Sequence, residues 1–158
     1  MDKPFYVNLN KLLFELLQDS INELYLNDRY IVDLKMELAC SAKVLHYMMK
    51  NVVCNQKFSS LESYDIDIEY GKDLKSKKTT VDHPNGIRPD LIIHRRGKSD
   101  NLLAVEFKME HRDLSKDVSK LKELTSREQQ YSYDLGILCV IESQSPAYLL
   151  FYGGEKYE

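Results

Sequence analysis

Residues 88–109 read RPDLIIHRRGKSDNLLAVEFKM. Two apolar runs flank a short polar turn, which is the pattern of a hairpin between two largely buried strands. Both runs also carry charge, with Asp90 in the first and Glu106 and Lys108 in the second. Residues two apart share one face of a strand, so Glu106 and Lys108 point the same way. The hairpin brings Asp90, on the neighbouring strand, beside Glu106.

Two carboxylates this close repel each other unless a cation lies between them. Mg²⁺ takes oxygen ligands, typically one or two carboxylates together with phosphate and water. We therefore expect Asp90 and Glu106 to bind Mg²⁺ or Mn²⁺, with the backbone carbonyl of Phe107 as a further ligand. Lys108 would then stabilise a developing hydroxide or the charge on a pentacovalent phosphate. The alternative is an ordinary ion pair between Asp90 and Lys108, with Glu106 exposed at a sheet end.

The chain as a whole has the composition of one globular domain. It has 158 residues, of which 43% are hydrophobic and 30% are charged. No apolar run approaches the roughly 18 residues that a membrane span needs, and the first residues lack the pattern of a secretory signal. The three cysteines form no CxxC pair, which favours neither a zinc site nor a disulfide framework. We expect a cytoplasmic protein that does not enter a membrane.

Hydrophobic periodicity divides the chain into helices and strands. Apolar residues at helical spacing predict helices over 7–26 and 30–53. The inward face of the second helix is expected to hold Leu34, Leu38, Leu45, Met48 and Val52. Strict alternation in YDIDIEY predicts a half-exposed strand. The elements from that strand onward are strand, loop, strand, strand, helix, strand and strand, at 64–70, 71–86, 88–95, 101–109, 113–130, 135–142 and 147–154.

Two short motifs stand on the central strands of this pattern. Pro89-Asp90 and Glu106-Phe107-Lys108, with fifteen residues between the two acids, resemble the motif of the PD-(D/E)XK nuclease superfamily. The core of that family runs helix, three-stranded meander, helix, strand, and residues 30–152 follow this order. The phrases DIEY, RPDLIIHRRG, NLLAVEFK and LGILCV also look like those of small uncharacterised prokaryotic or phage members.

The resemblance implies a fold for the whole chain. It implies a single α/β domain over residues 1–158 with a restriction-endonuclease-like core at 30–152. That core would be a central mixed β-sheet of about five strands flanked by helices. Residues 1–29 would add an extra N-terminal helix.

The resemblance also implies an activity. The chain is expected to be a metal-dependent nuclease that hydrolyses phosphodiesters in nucleic acid, DNA rather than RNA, with Asp90 and Glu106 holding the metal and Lys108 polarising the attacking water. Members of this fold often add an acid from the first core helix, and Glu37 is the candidate here. Glu69, at the end of the first strand, is its rival, and either residue can instead be an ordinary polar residue at the surface. The alternative function is a catalytically inactive nuclease-fold protein that binds nucleic acid or protein.

Charge is unevenly distributed along the chain. Residues 71–98 hold eight basic and three acidic residues, a local charge of +5 on a chain whose net charge is −3. A basic segment of this kind can steer a polyanion to one face, although a solvated loop gives the same pattern. The side chains expected to contact phosphate are five cations of this segment and one lysine of the helix predicted at 113–130: Arg88, Arg95, Arg96, Lys77, Lys78 and Lys120.

Two further expectations concern single features of the chain. His94 shares strand parity with Asp90, so it is a candidate phosphate contact or base; the alternative is a hydrogen-bonded residue at a strand end. The two N-terminal helices carry more leucine than one small sheet needs to cover. This surplus is compatible with a homodimer.

Overall fold

The computed structural model describes residues 3–68, 72–73, 76–77, 86–110, 113–129 and 132–157. The helices are α1 (Lys3–Asn27), α2 (Arg29–Asp33), α3 (Glu37–Cys54) and α4 (Ser115–Thr125), with a 3-10 helix at Gln56–Leu61. The strands are β1 (Asp65–Ile68), β2 (Lys72–Asp73), β3 (Ser76–Lys77), β4 (Leu91–His94), β5 (Asn101–Lys108), β6 (Leu135–Ile141), β7 (Pro146–Tyr152) and β8 (Glu155–Lys156).

Residues 88–109 contain β4 and β5, which are inner strands of a six-stranded sheet. The strand order is β1-β4-β5-β6-β7-β8. Strands β5 and β6 pair parallel, joined through α4, while the other neighbours pair antiparallel. Every residue of β6 is buried, as expected for a strand covered on both faces. The predicted mixed sheet in an α/β fold is therefore confirmed, with six strands.

Helices cover both faces of this sheet. On one face, Phe107 packs in a core with Leu17 of α1 and Met48 of α3. On the other face, Leu138 packs with Leu121 of α4. Since side chains alternate along a strand, the residues on either side of Phe107 point toward α4. This alternation decides which helix faces the charged residues of β5.

The predicted N-terminal helix is present as α1. Its apolar stripe is buried, including Leu13, Leu16, Leu17 and Leu24. Among the described residues, no helix combines the length and apolar character that crossing a membrane requires.

The single helix predicted over 30–53 is wrong, because the chain leaves the helical path between α2 and α3. Lys35 has a φ of 55°, in the left-handed region that ends helices. The amide of Met36 donates to the carbonyl of Ile31 at 3.1 Å, which closes this helix end. The break starts α3 at Glu37, and this places the carboxylate in the first turn of that helix.

The break also changes which side chains face the core. Leu34 and Leu38, both predicted to be inward, are 54% and 65% exposed. Met48 and Val52, further along α3, are buried as predicted. The helical period was therefore right from the middle of α3 onward and wrong before it, where one continuous helix was assumed.

The segment predicted as a loop at 71–86 contains a short hairpin. Strands β2 and β3 pair antiparallel, with Lys72 opposite Lys77. Lys78 and Glu69, two candidate site residues, lie outside the described residues. Their predicted roles stay predictions.

Close packing of α4 on the sheet depends on Gly136 of β6. A Cβ built at this position would lie 2.9 Å from Cγ2 of Thr125. We expect Gly136→Ala to destabilise the fold by about 1–3 kcal/mol, because overpacking forces the helix to shift. Urea unfolding measures the change.

The variant Thr125→Ser serves as a second background that tests whether the Thr125 methyl causes this cost. Thr125→Ser removes Cγ2 and keeps the hydroxyl, which donates to the carbonyl of Leu121 at 2.8 Å. In that background Gly136→Ala should cost clearly less. An equal cost in both backgrounds would show that the Thr125 methyl is not the obstacle.

Candidate functional site

The pairing of β4 with β5 brings Asp90 to the end of β5. Leu91 lies opposite Val105, so Asp90, one residue earlier, borders Glu106 across the hairpin. Oδ2 of Asp90 accepts a hydrogen bond of 2.8 Å from the backbone amide of Phe107. This bond fixes the Asp90 carboxylate against the strand that carries the other two motif residues.

Glu106 is a buried carboxylate. The residue is 2% exposed, so the alternative of a solvent-exposed strand end is wrong. Burial, and after it the nearby charge of Asp90, raises its pKa to about 8, against the opposing effect of Lys120. Nζ of Lys120 lies 2.6 Å from Oε1 of Glu106. The site thus holds two neighbouring carboxylates with an ammonium beside one of them.

Lys108 points to the same side of the sheet, but its ion-pair partner is Asp117 of α4. Nζ of Lys108 lies 3.3 Å from Oδ2 of Asp117. Burial alone would lower the pKa of Lys108, but Asp117, followed by Glu37 and Asp90, outweighs it and raises the pKa. Lys108 is therefore an ammonium at neutral pH, suited to stabilising negative charge and not to accepting a proton.

Asp117 is a residue of this cluster that the sequence analysis missed. It lies on α4, is 8% exposed, and belongs to the buried side of that helix with Leu121 and Leu124. A signal was present, since Asp117 precedes these leucines by four and seven residues, the spacing of one helical face. An acid on an apolar stripe marks a side chain that needs a partner of opposite charge, here Lys108.

Glu37 is the fourth carboxylate of the cluster, after Asp90, Glu106 and Asp117. Together with Leu38, Ser41, Ile68 and Asp90 it lines a cleft of about 130 Å³. Burial and the charge of Asp90 raise its pKa, while Lys108 and a hydrogen bond with the backbone of Met109 act in the opposite direction. Glu37 therefore reaches the end of β5 from α3 and approaches Asp90.

These carboxylates are of the type that binds hard divalent cations, but in this structure their oxygens do not converge on one point. Oxygen donors from Asp90, Glu106 and Glu37 are of the kind that Mg²⁺ and Mn²⁺ take. Across the described ranges, no three His, Cys, Asp or Glu side chains lie close enough together to hold a metal ion. One oxygen of Glu106 lies against Lys120 and one of Asp90 accepts from an amide. The donor set fits a divalent cation if the side chains turn toward one another.

His94 lies at the other end of β4 and belongs to a different network. Its residue is 3% exposed, and Nε2 lies 2.7 Å from Oδ2 of Asp67. Arg96 also donates to Asp67, from Nε at 2.9 Å. The structure therefore has His94 as a hydrogen-bonded residue at a strand end, away from the carboxylates around Glu106.

The same network predicts an acid-sensitive contribution to stability. Burial opposes ionisation of Asp67, but hydrogen bonds from Arg96 and His94 outweigh it and hold the pKa of Asp67 below its usual range. A carboxylate whose pKa is lower in the folded chain stabilises the fold above its unfolded pKa, and this is lost as the pH falls through the folded value. We expect Asp67→Asn to cost about 1–3 kcal/mol at neutral pH, with the difference shrinking below about pH 4.

Urea unfolding near pH 7 and near pH 3 measures this dependence. Asp65→Asn is the control, since Asp65 is on the same strand but its side chain is more exposed, at 38% against 15%. It should cost less. A difference between wild type and Asp67→Asn that stays constant across this pH range would contradict the assignment.

Four of the six cationic side chains predicted to contact phosphate are described, and they lie in two groups; the side chains of Lys77 and Lys78 lie outside the described part. Arg95 pairs with Asp100 at 3.1 Å and lies over the ring of Tyr64, and Arg96 pairs with Asp67, so both are engaged at the hairpin end. Lys120 and the exposed Arg88 lie at the carboxylate end, where Nζ of Lys120 donates to the carbonyl of Arg88 at 2.6 Å. The second group is the one placed to meet a phosphate beside Glu106.

No protein-family model matches this chain, and no curated protein sequence matches it either.

Proposed function

We propose that this chain is a metal-dependent phosphodiesterase acting on nucleic acid, with a PD-(D/E)XK-type site on a restriction-endonuclease-like core. The observation that carries the proposal is the burial of Glu106 beside Asp90, with Lys108 on the same side of β5. Burying a carboxylate next to another carboxylate destabilises a fold, so such pairs concentrate at functional sites. An ordinary sheet would place an apolar residue at this position.

Each residue of the site has a role in the proposal. A divalent cation, when bound, supplies an activated water and a positive charge next to the phosphate. Asp90, Glu106 and the carbonyl of Phe107 hold it, and Glu37 supports it or its water. Lys108 remains an ammonium and stabilises the charge that develops on the phosphate. Asp117 positions Lys108 through their ion pair.

The substrate class is proposed from charge. The basic segment at 71–98 and the cations at the end of β5 favour a polyanion, and we propose DNA in preference to RNA. A cytoplasmic location and a homodimer remain predictions of the sequence.

A nicking assay with supercoiled plasmid tests the activity. Wild type should nick the plasmid with Mg²⁺ or Mn²⁺ and fail with excess EDTA. Asp90→Asn, purified in parallel, controls for contaminating nucleases; its amide oxygen can still accept from the Phe107 amide, so the fold is kept. Equal nicking by both proteins would remove the support for this site.

One observation favours the alternative of a non-catalytic nucleic-acid-binding protein. Lys120 already lies beside Glu106, so the buried charge has a counter-ion without any metal. In that case calorimetry would detect no Mn²⁺ binding by wild type, while binding to DNA would still weaken with salt as phosphate contacts require.

A further inference from the structure

Lys120 reaches the carboxylates from α4 and lies between two acceptors. Its Nζ is 2.6 Å from Oε1 of Glu106 and donates at 2.6 Å to the carbonyl of Arg88. The side chain of Glu106 is 3% exposed, whereas that of Lys120 is 18% exposed. The ammonium is therefore the charge partner of the ionised Glu106 side chain, which water scarcely reaches, and it keeps its own access to solvent.

A metal bound by Asp90 and Glu106 would meet this ammonium directly. Any cation that takes an oxygen of Glu106 enters the space beside Nζ of Lys120, and like charges at such a distance repel strongly. Lys108 is paired with Asp117, and Asp90 accepts from the amide of Phe107. Lys120 is therefore the cation that a metal at Glu106 would displace.

We propose that Lys120 is an internal counter-ion of Glu106 that competes with the divalent metal, so that metal binding releases the ammonium from the carboxylate. The inference rests on the proposed function, because it takes Asp90 and Glu106 as the metal ligands. The carbonyl of Arg88 offers the released ammonium an acceptor at the edge of the site. Lys120 accordingly sets the metal affinity without being a ligand.

Calorimetric titration of Mn²⁺ into Lys120→Gln, with no nucleic acid present, tests the competition. The amide of glutamine can still donate to the Arg88 carbonyl, so the substitution removes the charge and keeps a hydrogen-bond donor. We expect Lys120→Gln to bind Mn²⁺ roughly tenfold more tightly than wild type, because the ion pair no longer has to be broken. Lys116→Gln, an exposed lysine one helical turn earlier on α4, should leave the affinity unchanged.

The outcomes separate this inference from the proposed function. If wild type binds Mn²⁺ and Lys120→Gln binds it equally or more weakly, the competition is wrong and the proposed metal site stands. If wild type binds no Mn²⁺ but Lys120→Gln does, the counter-ion fully blocks the site. If neither binds it, both ideas are overturned. Lys120→Met, with a melting curve for each variant, repeats the test if the glutamine variant does not fold.

Discussion

Glu106→Gln is expected to abolish plasmid nicking and weaken Mn²⁺ binding by more than roughly 100-fold, since it removes a ligand where even supporting partners are worth 10- to 100-fold. The same substitution should leave the fold as stable as wild type or make it more stable. Glu106 is buried and its pKa is raised to about 8, so near neutral pH the uncharged glutamine resembles the form that burial already favours. Loss of function without loss of stability is the signature of a site residue.

The difference in stability between Glu106→Gln and wild type should increase with pH. A carboxyl whose folded pKa lies above its unfolded value binds more protons in the folded chain, so stability falls as the pH rises between the two values. Glu106→Gln lacks this penalty. Its melting temperature should therefore exceed that of wild type by an amount that grows from about pH 5 to about pH 9, at roughly 2–4 °C for each kcal/mol.

Calorimetric melts of the metal-free proteins at these pH values supply the measurement. Glu128→Gln, which removes the same charge at an exposed position, is the control and should show no such trend. If Glu106→Gln melted below wild type at every pH, Glu106 would be a structural partner of Lys120 and the proposed metal role would lose its support.

Much of the fold could be predicted because its strands have unambiguous patterns. The hairpin between β4 and β5 follows from two apolar runs around a polar turn, and the buried β6 follows from an unbroken apolar run. The break between α2 and α3 could not be predicted, because Lys35 carries no sequence signal for a left-handed φ. Periodicity alone continues through such a residue, and for that reason Leu34 and Leu38 were wrongly assigned to the core.

The carboxylate cluster could be predicted in part, for a similar physical reason. Strand pairing is local in the hairpin, so the adjacency of Asp90 and Glu106 needed only the alternation of side chains. The charged partners that α4 supplies depend on how that helix packs across the sheet, and this packing cannot be predicted from residue spacing. Asp117 was therefore missed, and Lys120 was assigned to phosphate although its nearest acidic partner is Glu106.

The substitution Lys108→Met tests whether the ammonium of Lys108 stabilises the charge that develops on the phosphate. The pKa of Lys108 is raised, so its role is that of a fixed positive charge near the phosphate. Removing one such charge-stabilising group from an active site costs roughly 10²–10³ in rate, and we expect plasmid nicking with Mn²⁺ to slow by that factor. Mn²⁺ affinity should stay equal or become slightly tighter, because a neighbouring positive charge has been removed.

A second substitution, Asp117→Asn, should have a smaller effect on the nicking rate than Lys108→Met. It keeps Lys108 but weakens the ion pair that holds Nζ at 3.3 Å, so its nicking rate should fall between those of wild type and Lys108→Met. Adding Asp117→Asn to Lys108→Met should cause little further loss, since residues that act through one another are not additive. A double variant that is slower by the product of the two single effects would show that Asp117 acts independently of Lys108. Full nicking by Lys108→Met would exclude the ammonium from the reaction altogether.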